Sequence, residues 1–256
     1  MTEASQQRVE MWESGLSLKF IFMLTRDDRT VEDAQIHLET AISLGLRHIG
    51  FKDVGLPVDV LRTLNKRIRE TGATSYLEVV SLDRDSEIKS ARTAVDLGVD
   101  VLLGGTRVDD VLPVLEGSAL KYYPFPGRIT GHPSVLEGTF GDIVASARKL
   151  AAHHGVAGLD LLAYRSSLPD IPGLIKAVTN AAGKPVIVAG SIADKTRIEA
   201  LYRAGASGFT IGTAALDGTY PASDRDLKSQ LSKIVQDVAD LTGEGSVAER
   251  ATRKES

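Results

Sequence analysis

The sequence predicts an α/β fold in which eight parallel strands form a single barrel. Three observations lead to this prediction: eight short apolar runs recur along the 256 residues, amphipathic stretches separate them, and no linker or change of composition divides the chain. Strands that alternate with helices form parallel sheets, and α/β barrels of roughly 250 residues commonly fold as one domain. We therefore expect one (β/α)8 TIM barrel with a parallel eight-stranded core, rather than an open doubly wound sheet.

The predicted strands are rich in aliphatic or aromatic residues and end at glycine, proline or a charged residue. They are residues 20–24, 48–51, 76–80, 99–103, 120–125, 158–162, 186–189 and 208–211. Residues at helical spacing lie between them, as at Val31, Ala34, Leu38 and Ile42. Residues 122–140 contain three prolines and three glycines, which predicts a long loop after the fifth strand.

The two ends of the chain are polar and charged and show no persistent apolar face. We expect residues 1–16 to be a flexible N-terminal extension, residues 17–242 to form the barrel, and residues 243–256 to be a polar C-terminal tail.

Composition excludes several classes of function. A net charge of -4 provides no general attraction to nucleic acid, and the absence of cysteine excludes disulfides, thiolate metal sites and cysteine nucleophiles. The N-terminus lacks the pattern of a secretory signal, and no apolar run reaches the roughly 18 residues of a membrane helix. We expect a cytoplasmic protein that binds neither nucleic acid nor a membrane, and that is a homo-oligomer, with a dimer as the first choice.

The last two predicted strands are each followed by a glycine and then by a hydroxyl residue. These are Gly190 with Ser191, and Gly212 with Thr213. Glycine lets the backbone approach a ligand, and the amides of the next residues can then donate to an anion, especially where a helix begins. Neighbouring turns of a barrel could hold one phosphate between them. The alternative is that each glycine only makes a tight turn.

The pattern Val-Ala-Gly-Ser-Ile, a helix, Ala-Gly-Ala and then Ile-Gly-Thr-Ala resembles the phosphate-binding TIM barrels. These include the ribulose-phosphate-binding enzymes, the histidine and tryptophan biosynthesis isomerases and the N-acylmannosamine-phosphate epimerases. The similarity covers residues 185–217 and is only architectural before them. It implies a substrate with a phosphate group but no single reaction, because the superfamily contains isomerases, epimerases, decarboxylases, synthases and prenyltransferases.

Strand alternation directs three ionisable side chains into the barrel. Aliphatic neighbours should face the helices, which turns Lys52, Glu78 and Asp160 inward as candidate catalytic residues. Glu78 or Asp160 would remove a proton next to a carbonyl, and Lys52 would stabilise the enolate. Lys52 could instead form a Schiff base. A third alternative is an ion pair between Lys52 and Glu78 that only satisfies two buried charges.

Loops at the same end of the barrel supply candidate substrate-binding residues. Residues 25–28 are either a substrate clamp or a solvated turn whose aspartates cap the first helix. The candidates for substrate binding are Arg26, Asp27, Arg128, His132, Tyr164 and Arg165. No histidine cluster predicts a metal site and no cofactor is expected, although Asp27, Glu78 and Asp160 could hold magnesium through a substrate phosphate.

These features predict an enzyme that acts on a small phosphorylated sugar or sugar acid by proton transfer through an enolate-like intermediate, as an isomerase or epimerase. The alternatives are a decarboxylase or aldolase-type lyase, a magnesium-dependent synthase or prenyltransferase, and a barrel that binds phosphorylated metabolites without catalysis.

Overall fold

The computed structural model of the protein describes residues 18–81 and 83–243. Residues 1–16, predicted to be an extension, lie outside the described residues, as do all but the first residue of the predicted tail 243–256.

Eight parallel strands form one sheet in the order β6-β7-β8-β1-β2-β3-β4-β5. The strands are β1 Lys19–Met23, β2 His48–Lys52, β3 Thr74–Val79, β4 Val101–Gly104, β5 Lys121–Tyr123, β6 Leu159–Leu161, β7 Val186–Val188 and β8 Gly208–Ile211. A parallel bridge from Tyr122 to Val156 and a hydrogen bond from Ala157 N to Tyr122 O bring the two edge strands together. The sheet is therefore a nearly closed (β/α)8 TIM barrel, which confirms the predicted fold class.

Helices cover the outside of the barrel. They are α1 Ala34–Ser43, α2 Val58–Glu70, α3 Arg84–Leu97, α4 Val108–Leu115, α5 Phe140–Ala151, α6 Ile171–Ala182, α7 Lys195–Arg203, α8 Thr213–Leu216 and α9 Leu227–Thr242. No described helix has both the length and the apolar character that crossing a membrane requires.

Alternation along each strand divides the apolar side chains between two layers. Ile49 and Phe51 of β2 pack in the large core between strands and helices. Ile21 and Met23 of β1 and Ile187 of β7 belong to a smaller cluster inside the barrel. At the carboxyl ends of β2 and β3, the inward positions are instead occupied by the charged residues Lys52 and Glu78.

The eight predicted strands are all present, with their ends within two residues of the expected bounds. The long loop after β5 differs from the prediction, because it contains a hairpin in which Arg128–Thr130 pairs with Val135–Glu137. A second hairpin, Thr25–Arg26 with Arg29–Thr30, follows β1. The turn residues that predict a loop also close these short antiparallel pairs, and segments of two or three residues carry too little alternation to predict strands.

Candidate active site at the carboxyl ends of the strands

A cavity of about 550 Å³ opens at the carboxyl ends of the strands. Its wall combines the loops after β1, β6, β7 and β8, the hairpin after β5, and Lys52 and Glu78 near the carboxyl ends of β2 and β3. Catalytic residues of TIM barrels lie at this end, so the cavity is the candidate active site.

Both predicted phosphate-binding turns contribute to the cavity wall. Ser191 and Ile192 line it on one side and Thr213 and Ala214 on another. Within the described part of the chain, the backbone N–H groups of these four residues have no protein acceptor. Unengaged amides beside a cavity can serve as donors to an anionic ligand.

Glycine is required at the two turns for different physical reasons. Gly190 has φ 80°, and a Cβ there would lie 2.5 Å from Arg165 Nε. A Cβ on Gly212 would lie 2.6 Å from Thr25 O and 3.0 Å from Met23 O. Gly212 therefore lets the turn after β8 pack against the loop after β1, and Gly190 lets a charged side chain approach the turn after β7.

Lys52 and Glu78 meet at the floor of the cavity. Lys52 Nζ lies 3.3 Å from Glu78 Oε1, and the two residues are paired neighbours in the β2–β3 register. Lys52 is only 2% exposed and Glu78 is also buried, yet both line the cavity. The structure thus brings together two of the three predicted catalytic side chains, facing the space that a substrate would fill.

Asp28 is the carboxylate to which both Lys52 and Arg165 donate, a role that was not predicted from the sequence. Its carboxylate accepts hydrogen bonds from Lys52 Nζ at 2.7 Å, from the Arg165 guanidinium at 3.0 and 3.1 Å, and from Ser134 N at 2.9 Å. Burial raises the pKa of Asp28, but hydrogen bonds and charges from Arg165 and Lys52 outweigh it and hold that pKa well below its usual range.

Of the two alternatives for residues 25–28, the solvated turn whose aspartates cap the first helix is wrong. The N-cap of α1 is Asp33, and Asp28 is buried at the cavity with φ 58°. Two adjacent aspartates in a turn were a signal for this role, because aspartate tolerates a positive φ better than most side chains do.

Asp160 lies inside the barrel but not on the cavity wall. It is 0% exposed, and neither carboxylate oxygen has a hydrogen-bond partner. Burial, followed by the negative charge of Glu78, raises the pKa of Asp160 well above its usual value. Among the described residues no group of three or more potential ligands fits a metal ion, so Asp27, Glu78 and Asp160 do not form a metal cluster.

Three of the predicted substrate-binding residues lie at or beside the cavity. Asp27 and Arg165 line it. The Arg26 side chain does not line it; its Nε donates to Asp217 Oδ1 at 2.6 Å and ties the hairpin after β1 to the end of α8.

The other three predicted substrate-binding residues are not part of the cavity wall. Arg128 is exposed and pairs with Glu137 at 2.5 Å across its hairpin, and His132 is exposed at the hairpin tip. The ring of Tyr164 lies under the Arg197 guanidinium, 4.8 Å from the ring centroid. Their side chains do not converge on the Lys52–Glu78 pair.

No protein-family model and no curated protein matches the sequence. Solved structures do resemble it. The tryptophan synthase A-subunit from Pyrococcus furiosus matches with a TM-score of 0.60 and 13% identity, over 90% of this chain and 98% of that chain. The native KDPGal structure matches with a TM-score of 0.57 and 16% identity, over 88% and 97% of the two chains. A designed cube-shaped cage made of fused oligomeric domains matches with a TM-score of 0.59 and 13% identity, over 93% and 78%. At this identity the likeness concerns the fold, and the chain shares the TIM-barrel architecture of these proteins.

Proposed function

We propose that the protein is an enzyme that acts on a small phosphorylated sugar or sugar acid by proton transfer through an enolate-like intermediate, as an isomerase or epimerase. One observation carries the proposal: the unengaged amides after β7 and β8 line the same cavity as the Lys52–Glu78 pair. A cavity of about 550 Å³ is large enough for a small substrate that spans both regions.

The roles follow from position. The amides of Ser191, Ile192 and Thr213 would donate to the phosphate and anchor the substrate. Glu78 lies on the cavity wall and would remove the proton next to the carbonyl, while the Lys52 ammonium would stabilise the negative charge on the enolate oxygen. Asp160, which is enclosed, would stay protonated and would therefore add no negative charge beside Glu78.

Lyase chemistry is the nearest alternative, because decarboxylation and retro-aldol cleavage pass through similar enolates. A Schiff base on Lys52 would require its amine to leave both Asp28 and Glu78, which lie 2.7 and 3.3 Å away. The ion pairs therefore favour the electrostatic role of Lys52 over the nucleophilic one.

The experiment is proton exchange in D₂O, followed by ¹H NMR, with aldose and ketose phosphates and their dephosphorylated counterparts. We expect loss of the signal from the proton next to the carbonyl only with a phosphorylated compound, and at least a hundredfold slower loss with Glu78→Gln. The matched control is Glu70→Gln on the surface of α2, which should exchange at the wild-type rate. Equal exchange by Glu78→Gln and wild type would contradict the role of Glu78. The absence of exchange with every phosphorylated compound would contradict the proposed reaction.

A further inference from the structure

The charged side chains on the cavity wall are three carboxylates and two basic side chains. They are Asp27, Asp28, Lys52, Glu78 and Arg165. Both bases are already paired with acids of the protein: Lys52 with Asp28 and Glu78, and Arg165 with Asp28. Within the described residues, every cation on the cavity wall therefore already has a partner. None is left to bind a second anionic group of a substrate.

Asp28 occupies the position that a carboxylate ligand would need. Two nitrogens of the Arg165 guanidinium, the Lys52 ammonium and the backbone N–H of Ser134 all donate to it. A planar guanidinium with further donors is the usual protein environment of a bound carboxylate. In this cavity that environment is filled from within the chain.

The segment that carries Asp28 is held in place at several points. Thr25 and Thr30 are paired in the hairpin on either side of it, and the Thr30 hydroxyl donates to Lys52 O at 2.7 Å and accepts from Lys52 N at 2.9 Å. Removing Asp28 from its partners would leave the partly buried Arg165 without its carboxylate and the buried Lys52 with Glu78 alone, which is unfavourable.

We propose that Asp28 determines specificity by excluding carboxylates, so that the substrate is a neutral polyhydroxy carbonyl compound with a single phosphate rather than a phosphorylated sugar acid. This inference rests on the proposed function, because it assumes the phosphate site after β7 and β8. A carboxylate at the far end of the substrate would meet Asp28 and Glu78 as like charges. Exclusion by charge repulsion is a common way to discriminate between ligands of similar size.

The first test compares two probes of equal length, glycerol 3-phosphate and 3-phosphoglycerate, by isothermal titration calorimetry at one pH and one salt concentration. They differ in a hydroxymethyl group against a carboxylate. For the wild type we expect the glycerol phosphate to bind at least tenfold more tightly. Equal or tighter binding of 3-phosphoglycerate would overturn the inference while leaving the phosphate site intact. Absence of binding by both probes would instead remove the phosphate site, and the proposed function and the inference would fall with it.

The second test uses Asp28→Asn, which retains the size of the side chain and removes its charge. We expect the preference for glycerol 3-phosphate to shrink at least tenfold, because Lys52 and Arg165 can then donate to the carboxylate of 3-phosphoglycerate. The matched control is Asp96→Asn, the same change at an exposed position in the last turn of α3, which should keep the wild-type preference. An unchanged preference in a folded Asp28→Asn protein would refute the role of Asp28. If this variant lacks a cooperative unfolding transition, the wild-type comparison alone decides.

Discussion

The side chain of Lys52 shows how the site depends on paired charges. Its ammonium has two carboxylate partners and almost no contact with water. Breaking a buried ion pair by removal of one partner costs about 3–5 kcal/mol, because the remaining charge is left uncompensated. An exposed pair such as Lys66–Glu70 contributes about 0–1 kcal/mol.

We therefore expect Lys52→Met to lower the free energy of unfolding by about 3 kcal/mol and to abolish turnover. The matched control, Lys66→Met on α2, should change the free energy of unfolding by less than about 1 kcal/mol. Urea denaturation of both variants measures the difference. Similar effects of the two substitutions would mean that the ion pairs of Lys52 contribute little to stability.

Asp160 makes stability depend on pH. Its pKa in the folded protein is raised by burial and by Glu78, so the folded state holds the proton more tightly than the unfolded chain does. The stability linked to this group is fully present below its ordinary pKa of 3.8 and is lost as pH rises toward the folded-state pKa. The steepest loss is about 1.4 kcal/mol per pH unit.

Replacing Asp160 with asparagine removes the titrating group and hence this loss. We expect the free energy of unfolding of Asp160→Asn, relative to wild type, to rise between pH 4 and the pH at which Asp160 ionises. Urea denaturation at one-unit pH intervals measures the gap between the two proteins. A gap that stays constant with pH would show that Asp160 titrates alike in the folded and unfolded chains.

The positions of strand residues follow from periodic burial and could be predicted from the sequence. The contacts that loop residues make could not. The eight strands repeat the same alternation, so Lys52, Glu78 and Asp160 could be directed inward without a structure. Asp28 and Ser134 belong to loops, where no period relates a residue to its neighbours. Their meeting with Arg165 joins segments more than 100 residues apart, and only the closed barrel brings those segments together.

The contact between the loop after β1 and the turn after β8 depends on Gly212. We expect Gly212→Ala to weaken binding of glycerol 3-phosphate at least tenfold, because a Cβ would collide with Thr25 O and displace the start of α8. Gly183→Ala is the matched control, since a Cβ there has no neighbour within 4 Å. Its φ of 58° costs about 1–2 kcal/mol of stability, and its affinity for the ligand should not change. Calorimetric titration of both variants tests the contact, and wild-type affinity in a folded Gly212→Ala protein would contradict it.

In the part of the chain that the structure describes, seven parallel strand pairs hold the barrel together and one short seam closes it. Along β2 and β3 five residues pair in register, from His48 with Thr74 to Lys52 with Glu78. Between β5 and β6 the closure consists of one bridge and the hydrogen bonds from Ala157 N to Tyr122 O and from Asp160 N to Pro124 O. Proline at position 124 has no N–H, so it cannot donate a bond in return.

Opening this seam breaks few hydrogen bonds, whereas separating β2 from β3 disrupts a complete ladder. We expect the amides of Ala157 and Asp160 to exchange with deuterium at least tenfold faster than those of Gly50 and Phe51, because local openings follow the least costly route. Native-state hydrogen exchange by NMR, with increasing sub-denaturing urea, separates local from global opening. Amides at the seam should exchange with little dependence on urea, while those of β2 should follow the global free energy of unfolding. Equal protection and equal urea dependence at both places would instead mean that the barrel opens only as a whole.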